Sequence, residues 1–192
     1  MRSFITEVKD KYKDQDVYII GKGRSLKFLN SSYINQGIVM TINDAIEKVE
    51  SLDLPNIIYS MQKDGMGGEH RQSTNEPLHN CLIHGTAPKK SILLVHKYGS
   101  SNCWIDYIPR MVFDNIELGL QVCDFSALSC IKIALVMGCT RFFFVSFDAC
   151  TTGDGRSILN NISYPNYFAQ CERMKPYLKD LNYKFITPNG TY

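Results

Sequence analysis

Apolar residues along this chain fall into short, nearly continuous runs, and between the runs they recur every three to four positions. Continuous runs read as strands buried on both faces, and the three-to-four spacing reads as helices with one apolar side. The pattern predicts strands over 16–20, 38–42, 57–61, 92–95, 141–147 and 183–187. Phe4, Ile5, Val8 and Tyr12 predict a first helix over 2–13 that covers one edge of a sheet. Leu26, Phe28, Leu29 and Ile34 predict a short helix and its exit, and Ala45, Ile46, Val49 and Leu52 predict a helix over 44–52 closed by Pro55. The stretch 126–138 is almost entirely apolar and predicts a buried helix, with Asp124 or Ser126 as N-cap and Gly138 at its end. A last helix is predicted over 166–181, where Pro176 is expected to kink or divide it. Two segments break the rhythm. Residues 62–90 are polar and contain Gly65-Met66-Gly67-Gly68, as a long active-site loop would. Residues 98–115 read as irregular and hold Trp104, Tyr107 and Pro109.

Strands alternating with helices predict a single α/β domain over 1–192: a Rossmann-like, mostly parallel sheet flanked by helices. Ligands of such sheets collect beyond the carboxyl ends of the strands. Four pieces follow directly after predicted strands: Gly21-Lys22-Gly23, Asn43-Asp44, Asp148 and Pro188-Asn189. The first is the most informative. Val17-Tyr18-Ile19-Ile20 runs into a Gly-x-Gly turn, and Ser25-Leu26 opens the next element. Glycines let a ligand approach the main chain, and the amides at a helix start attract an anion. An ordinary tight strand-to-helix turn has the same residues, because the third glycine of a dinucleotide fingerprint and the Gly-Lys-Ser/Thr of a P-loop are both missing.

Composition narrows the function classes. Twenty-one Lys and Arg against 19 Asp and Glu give a net charge of +2, with no polybasic run, so nothing points to nucleic acid. No apolar stretch approaches the roughly 18 residues of a membrane span, and residues 1–16 lack the apolar centre of a signal peptide. The seven cysteines (Cys81, Cys103, Cys123, Cys130, Cys139, Cys150 and Cys171) have no Cys-x-x-Cys spacing. They read as reduced thiols of a cytoplasmic protein, neither a disulfide frame nor a zinc site. His70, His79, His84 and His96 show no metal-ligand spacing. The sequence leaves room for a homo-oligomer.

The ordered set of motifs resembles the superfamily that contains bacterial lipooligosaccharide sialyltransferases, 6-hydroxymethylpterin diphosphokinase-like proteins and flagellin-glycosylation accessory proteins. Its opening Gly-x-Gly-x-Ser-Leu is matched by Gly21, Gly23, Ser25 and Leu26, and its strand-two Asn by Asn43. Its Thr-Ser-Gly helix start is similar to Phe125-Ser126-Ala127, which leads through Met137-Gly138 and 142–147 to Asp148. Thr187-Pro188-Asn189-Gly190 resembles a closing Cys-Pro-Asn-Ser. Lys22, Arg24, Phe125 and Ala127 depart from the family pattern. So does the loop after Asp148: residues 151–170 contain no histidine, where the sialyltransferases carry their catalytic base.

The resemblance implies a nucleotide-dependent transferase, foremost a glycosyltransferase with a nucleotide-sugar donor and a small-molecule or glycan acceptor. Gly21, Lys22, Gly23, Arg24 and Ser25 would hold phosphate, and Asn43 and Ser126 would orient the nucleoside. Asp148 would line the reaction centre, and the missing base would be replaced by Asp154, by Asp148 or by a histidine brought in by the loop over 70–96. No metal or other cofactor is required on this reading. The pterin branch implies instead a diphosphokinase using Mg-ATP, its Mg²⁺ held by Asp148 and Asp154. A catalytically idle nucleotide-binding module is the third reading. Each residue also has a plainer role: Lys22 and Arg24 as solvated cations, Asn43 as a helix cap, Asp148 as an Asx turn and Asp154 as a loop acid.

Overall fold

A computed structural model describes residues 3–62, 90–97, 109–158 and 165–189. Seven strands form one sheet: β1 (Asp16–Ile20), β2 (Ile38–Ile42), β3 (Ile57–Gln62), β4 (Ile92–His96), β5 (Arg110–Phe113), β6 (Arg141–Val145) and β7 (Asn182–Ile186). Every pairing is parallel, in the order β5-β4-β3-β2-β1-β6-β7. The chain therefore builds outward from β1 to β5, then returns to lay β6 against the free side of β1. That reversal brings the carboxyl ends Ile20 and Val145 into register. In open parallel sheets such a switch point leaves a crevice, because the connections on its two sides depart in opposite directions.

Alternation along the central strands divides the core in two. Val17, Ile19, Met40, Phe142 and Phe144 face a layer made by α1 (Phe4–Val8), α3 (Ser126–Val136) and α5 (Pro165–Leu178). Tyr18, Ile20, Val39 and Val145 face a thinner layer made by α2 (Ala45–Glu50) and a 3₁₀ turn (Arg24–Phe28). A further short helix, α4 (Asp148–Thr151), follows β6. The nearly all-apolar sequence of α3 is explained by its position, since Leu128, Ile131, Ile133 and Ala134 are all buried against the sheet.

The structure corrects several expected boundaries. The first helix stops at Val8, because the amides of Asp10, Tyr12 and Asp14 donate to the carbonyls of Val136, Met137 and Gly138 at the end of α3. This segment thus satisfies carbonyls that a helix end leaves unpaired. The glycine turn opens a five-residue 3₁₀ turn, not an α-helix. Strand β6 ends two residues early, where Ser146 turns with a φ of +59° and Asp148 begins α4. The stretch read as irregular contains β5, an edge strand of four residues whose burial alternates and which is too short to stand out as an apolar run. Pro176 does not divide α5. It sits in the last turn, and only two helical residues follow it. The active-site loop assigned to 62–90, together with His70, His79, His84, Trp104 and Tyr107, lies outside the described residues except at its two ends.

Across the first core layer the hydroxyls of Tyr12 and Tyr59 meet at 2.8 Å. Burial, helped by that bond, raises the pKa of Tyr59 above its usual value. The pair fixes the segment after α1 onto β3. Tyr59→Phe is expected to cost about 1 kcal/mol in urea unfolding, and the Tyr12→Phe/Tyr59→Phe double variant to cost no more than either single one. Additive losses would show that the two hydroxyls do not act as a pair.

Candidate functional site

The glycine turn is shaped by the strand beside it. Gly21 continues the ladder by donating to Val145 O at 2.8 Å, and Gly23 donates to Ser146 O at 3.0 Å. A Cβ on Gly21 would lie 2.8 Å from Ser146 O. One on Gly23 would lie 2.7 Å from the same oxygen and 2.6 Å from Asp148 Cγ. Both positions must therefore be glycine for a steric reason: β1 and β6 remain in contact beyond their ends. The turn is also closed from the other side, where Ile158 N donates to Lys22 O at 2.8 Å.

Asp148 occupies the place where the sequence suggested a phosphate. Its Oδ2 accepts from Ser25 N at 2.7 Å and its Oδ1 from Ser25 Oγ at 2.5 Å. The side chain is buried, at 3% exposure. The amides of Gly21, Gly23 and Ser25 are thus engaged within the protein, and the anion at the turn is a residue of the chain itself.

Beyond this junction lies a cleft of about 570 Å³ at the carboxyl ends of β1, β2 and β6. It gathers Gly21, Lys22, Gly23, Asn43, Ser126, Asp148 and Asp154 from the expected set. Arg24 and Ser25 do not line it; they line a separate pocket on the other side of the turn. Asn43 holds a φ of +48°, and its main chain is fixed by Asn43 N to Met61 O and by Gln62 Nε2 to Asn43 O. No side-chain bond caps α2, so the Asn43 amide is not used as a cap. Asn43 and Ser146 both carry left-handed backbones at the cleft wall, a conformation that costs a non-glycine residue of order 1 kcal/mol or more and gathers at functional sites.

Charge in the cleft is arranged in pairs. Lys22 Nζ lies 3.4 Å from Asp44 Oδ2. Burial alone would push the Lys22 pKa down, but Asp44 and the neighbouring Tyr167 outweigh it and raise it, so the ammonium keeps its charge. Arg156 holds Asp154 in a two-point grip, Nε to Oδ1 at 2.7 Å and Nη2 to Oδ2 at 2.8 Å. That grip lowers the Asp154 pKa to about 2. Asp154 is therefore a permanent negative charge and a weak base, since a general base works best with a pKa near the working pH.

The start of α3 opens onto the same cleft. Neither expected residue caps it: the N-cap is Phe125, which makes no side-chain cap bond, and Asp124 turns back to accept from Gln121 N and from Arg173. Among the described residues the Ser126 and Ala127 amides have no protein acceptor. An eleven-residue helix thus directs free donors and its positive dipole end at the cleft.

Residues that the sequence did not single out complete the walls. Arg156, Tyr167 and Gln170 line the cleft, and so does a disulfide, Cys150–Cys171, which joins α4 to α5. This bond corrects the reading of all seven cysteines as reduced and removes that support for a cytoplasmic location, because disulfides persist mainly in oxidising compartments. A separation of 21 residues gives no sequence signal for pairing. His96, the one histidine among the described residues, is buried at the end of β4, where its Nε2 accepts from Asn115 N. The Mg²⁺ site of the diphosphokinase reading does not fit this arrangement. Both Asp148 oxygens are held by Ser25 and both Asp154 oxygens by Arg156.

No protein-family model matches the sequence, and no curated protein does. Among solved structures, a mammalian sialyltransferase is similar over 97% of this chain and 77% of its own, with a TM-score of 0.51 and 8% identity. The sialyltransferase CstII from Campylobacter jejuni, solved with the substrate analogue CMP-3FNeuAc, aligns over 91% of this chain and 81% of its own, with a TM-score of 0.43 and 15% identity. At such identity the first likeness establishes a shared fold.

Two outcomes follow from the junction and the disulfide. Asp148→Ala should lower the stability of the ligand-free protein by about 1.5–3 kcal/mol, the worth of hydrogen bonds to a charged group. Unchanged urea unfolding would assign Asp148 to ligand or chemistry alone. Peptide mapping without reductant should recover Cys150 and Cys171 in one linked species, and reduction should cost about 3 kcal/mol for a loop of this length. Separate peptides would contradict the bond.

Proposed function

We propose that this chain is a glycosyltransferase that binds a nucleotide-activated sugar, of the CMP-sugar type, in the cleft at the β1–β6 switch point. The observation that carries the reading is the meeting of the open α3 start with Lys22 and Arg156 in one crevice. The donor phosphate is assigned to the Ser126 and Ala127 amides with Lys22 opposite, because the Gly21, Gly23 and Ser25 amides are already engaged. Asn43 is assigned to the nucleoside. The likeness in fold to a mammalian sialyltransferase is consistent with this class and supports nothing finer.

In the reaction an acceptor hydroxyl oxygen bonds to the anomeric carbon while the bond from that carbon to phosphate oxygen breaks, and its electron pair leaves with the nucleotide. Amides and a fixed ammonium stabilise the departing phosphate without reorganising. Asp154, kept ionised by Arg156, stabilises the positive character that develops on the sugar ring. The hydroxyl proton is released to solvent or to the leaving phosphate, since Arg156 makes Asp154 a weak base and Ser25 holds both Asp148 oxygens.

CMP at a hundred times its dissociation constant should stabilise the protein by about 2.7 kcal/mol, a rise of roughly 5–10 °C in Tm, without Mg²⁺. Lys22→Ala should weaken CMP about tenfold or more, the scale of a charge-assisted contact. Asp154→Asn should spare that affinity and slow hydrolysis of a CMP-sugar. A shift with Mg-ATP and none with any pyrimidine nucleotide would overturn the reading. CMP binding without donor turnover would identify the idle module.

A further inference from the structure

The second pocket, about 250 Å³, lies across the glycine turn from the cleft and is lined by Arg24, Lys27, Phe28, Thr152 and Thr187. Asp148 and Asp154 line both cavities and so form a shared wall. Consecutive parts of one turn serve the two sides: Gly21, Lys22 and Gly23 face the cleft, and Arg24 and Ser25 face the pocket. Sequence reasoning placed Lys22 and Arg24 on one phosphate. The fold separates them.

The lining of this pocket has a definite chemistry. Arg24 and Lys27 have no ion-pair partner among the described residues. Ser25 is neutral, so Asp148 keeps its charge and offsets one of them, whereas Asp154 is paired with Arg156, which leaves one positive charge in excess. The pocket is therefore cationic. Beside the cations stands Phe28, an aromatic ring left 39% exposed with Lys27 Nζ 4.6 Å from its centroid. Thr152 and Thr187 supply hydroxyls; that of Thr152 donates to Asp148 O at 3.1 Å, and that of Thr187 meets Thr151 Oγ1 at 2.9 Å. Cations, an apolar ring and fixed hydroxyls together suit a ligand with one anionic group, one apolar face and several hydroxyls. The volume falls below the roughly 300–1,000 Å³ of sites for drug-sized ligands and suits one monosaccharide unit.

We infer that this pocket is a subsite for an anionic sugar, a single pyranose unit bearing a carboxylate or a phosphate, with Arg24 as its bidentate anchor and Phe28 against its carbon face. Its position across the shared wall makes it the acceptor subsite, an assignment that rests on the donor reading above. As a binding site it stands by itself.

Ligand titrations followed by amide NMR test the site on the full chain, with glucuronate, glucose 6-phosphate and uncharged glucose as probes. At millimolar concentration a charged sugar should shift the Arg24, Thr152 and Thr187 amides and saturate, whereas glucose should bind at least about tenfold more weakly. The better of the two charged probes tells carboxylate from phosphate. Arg24→Gln, at a half-buried position, should weaken the charged probe about tenfold and leave CMP affinity within about twofold, the retained CMP binding reporting a folded chain. Phe28→Ala should weaken it further while preserving the preference for charge. Equal binding of glucose, no saturation by either charged sugar, or equal loss of CMP and probe in Arg24→Gln would each overturn the subsite. Charged-sugar binding without any CMP binding would leave the subsite standing and remove its role as acceptor site.

Discussion

A buried carboxylate at the end of one strand holds the turn at the end of the next, and the cleft is the space left beside that junction. Asp148 accepts from both the amide and the hydroxyl of Ser25, and Gly21 and Gly23 pass close enough to Ser146 O that no side chain fits between. Buried carboxylates are tolerated only when such donors surround them. The junction therefore fixes the relative position of β1 and β6 at the reversal of strand order. Everything lining the two cavities is referred to it: Lys22 on one side, Arg24 on the other, and Asp154 at the wall between them.

The outer wall is held by other means. A disulfide joins α4, which begins with Asp148, to α5, which carries Tyr167 and Gln170. The turn is tied to the 154–158 segment through Ile158 N and a bridge between Gly23 and Ser157. Electrostatics then complete the site. Lys22 and Asp154 each keep their charge because a partner of opposite sign outweighs the effect of their surroundings. A cleft with fixed positive groups and the open end of a helix suits an anionic group.

The central strands were legible because they are buried on both faces, which leaves an unbroken apolar run in β1, β2 and β6. Strand β5 escaped notice since its burial alternates over only four residues at an edge. The first helix was overextended because what ends it is distant: its following amides bond to the last carbonyls of α3, about 125 residues along the chain. The rule that ligands collect beyond strand ends led to Gly21, Asn43 and Asp148, which line one cleft, and also to Pro188-Asn189, which do not line it. It did not reveal Arg156 or Tyr167, which arrive on later segments with no motif of their own, nor the pairing of Cys150 with Cys171.

By itself the sequence determined the parallel α/β architecture and the strand ends that border the cleft, because burial periodicity and the need for glycine are local properties. It also marked the turn after β1 as a place suited to an anion, without separating that from an ordinary strand-to-helix turn. Only the tertiary structure decided which anion that is. A carboxylate 123 residues away and a bound phosphate satisfy the same donors, and the chain's return beside β1 places Asp148 there first. The same return sent Lys22 and Arg24 to different cavities, a separation that two neighbouring cations in a sequence do not reveal.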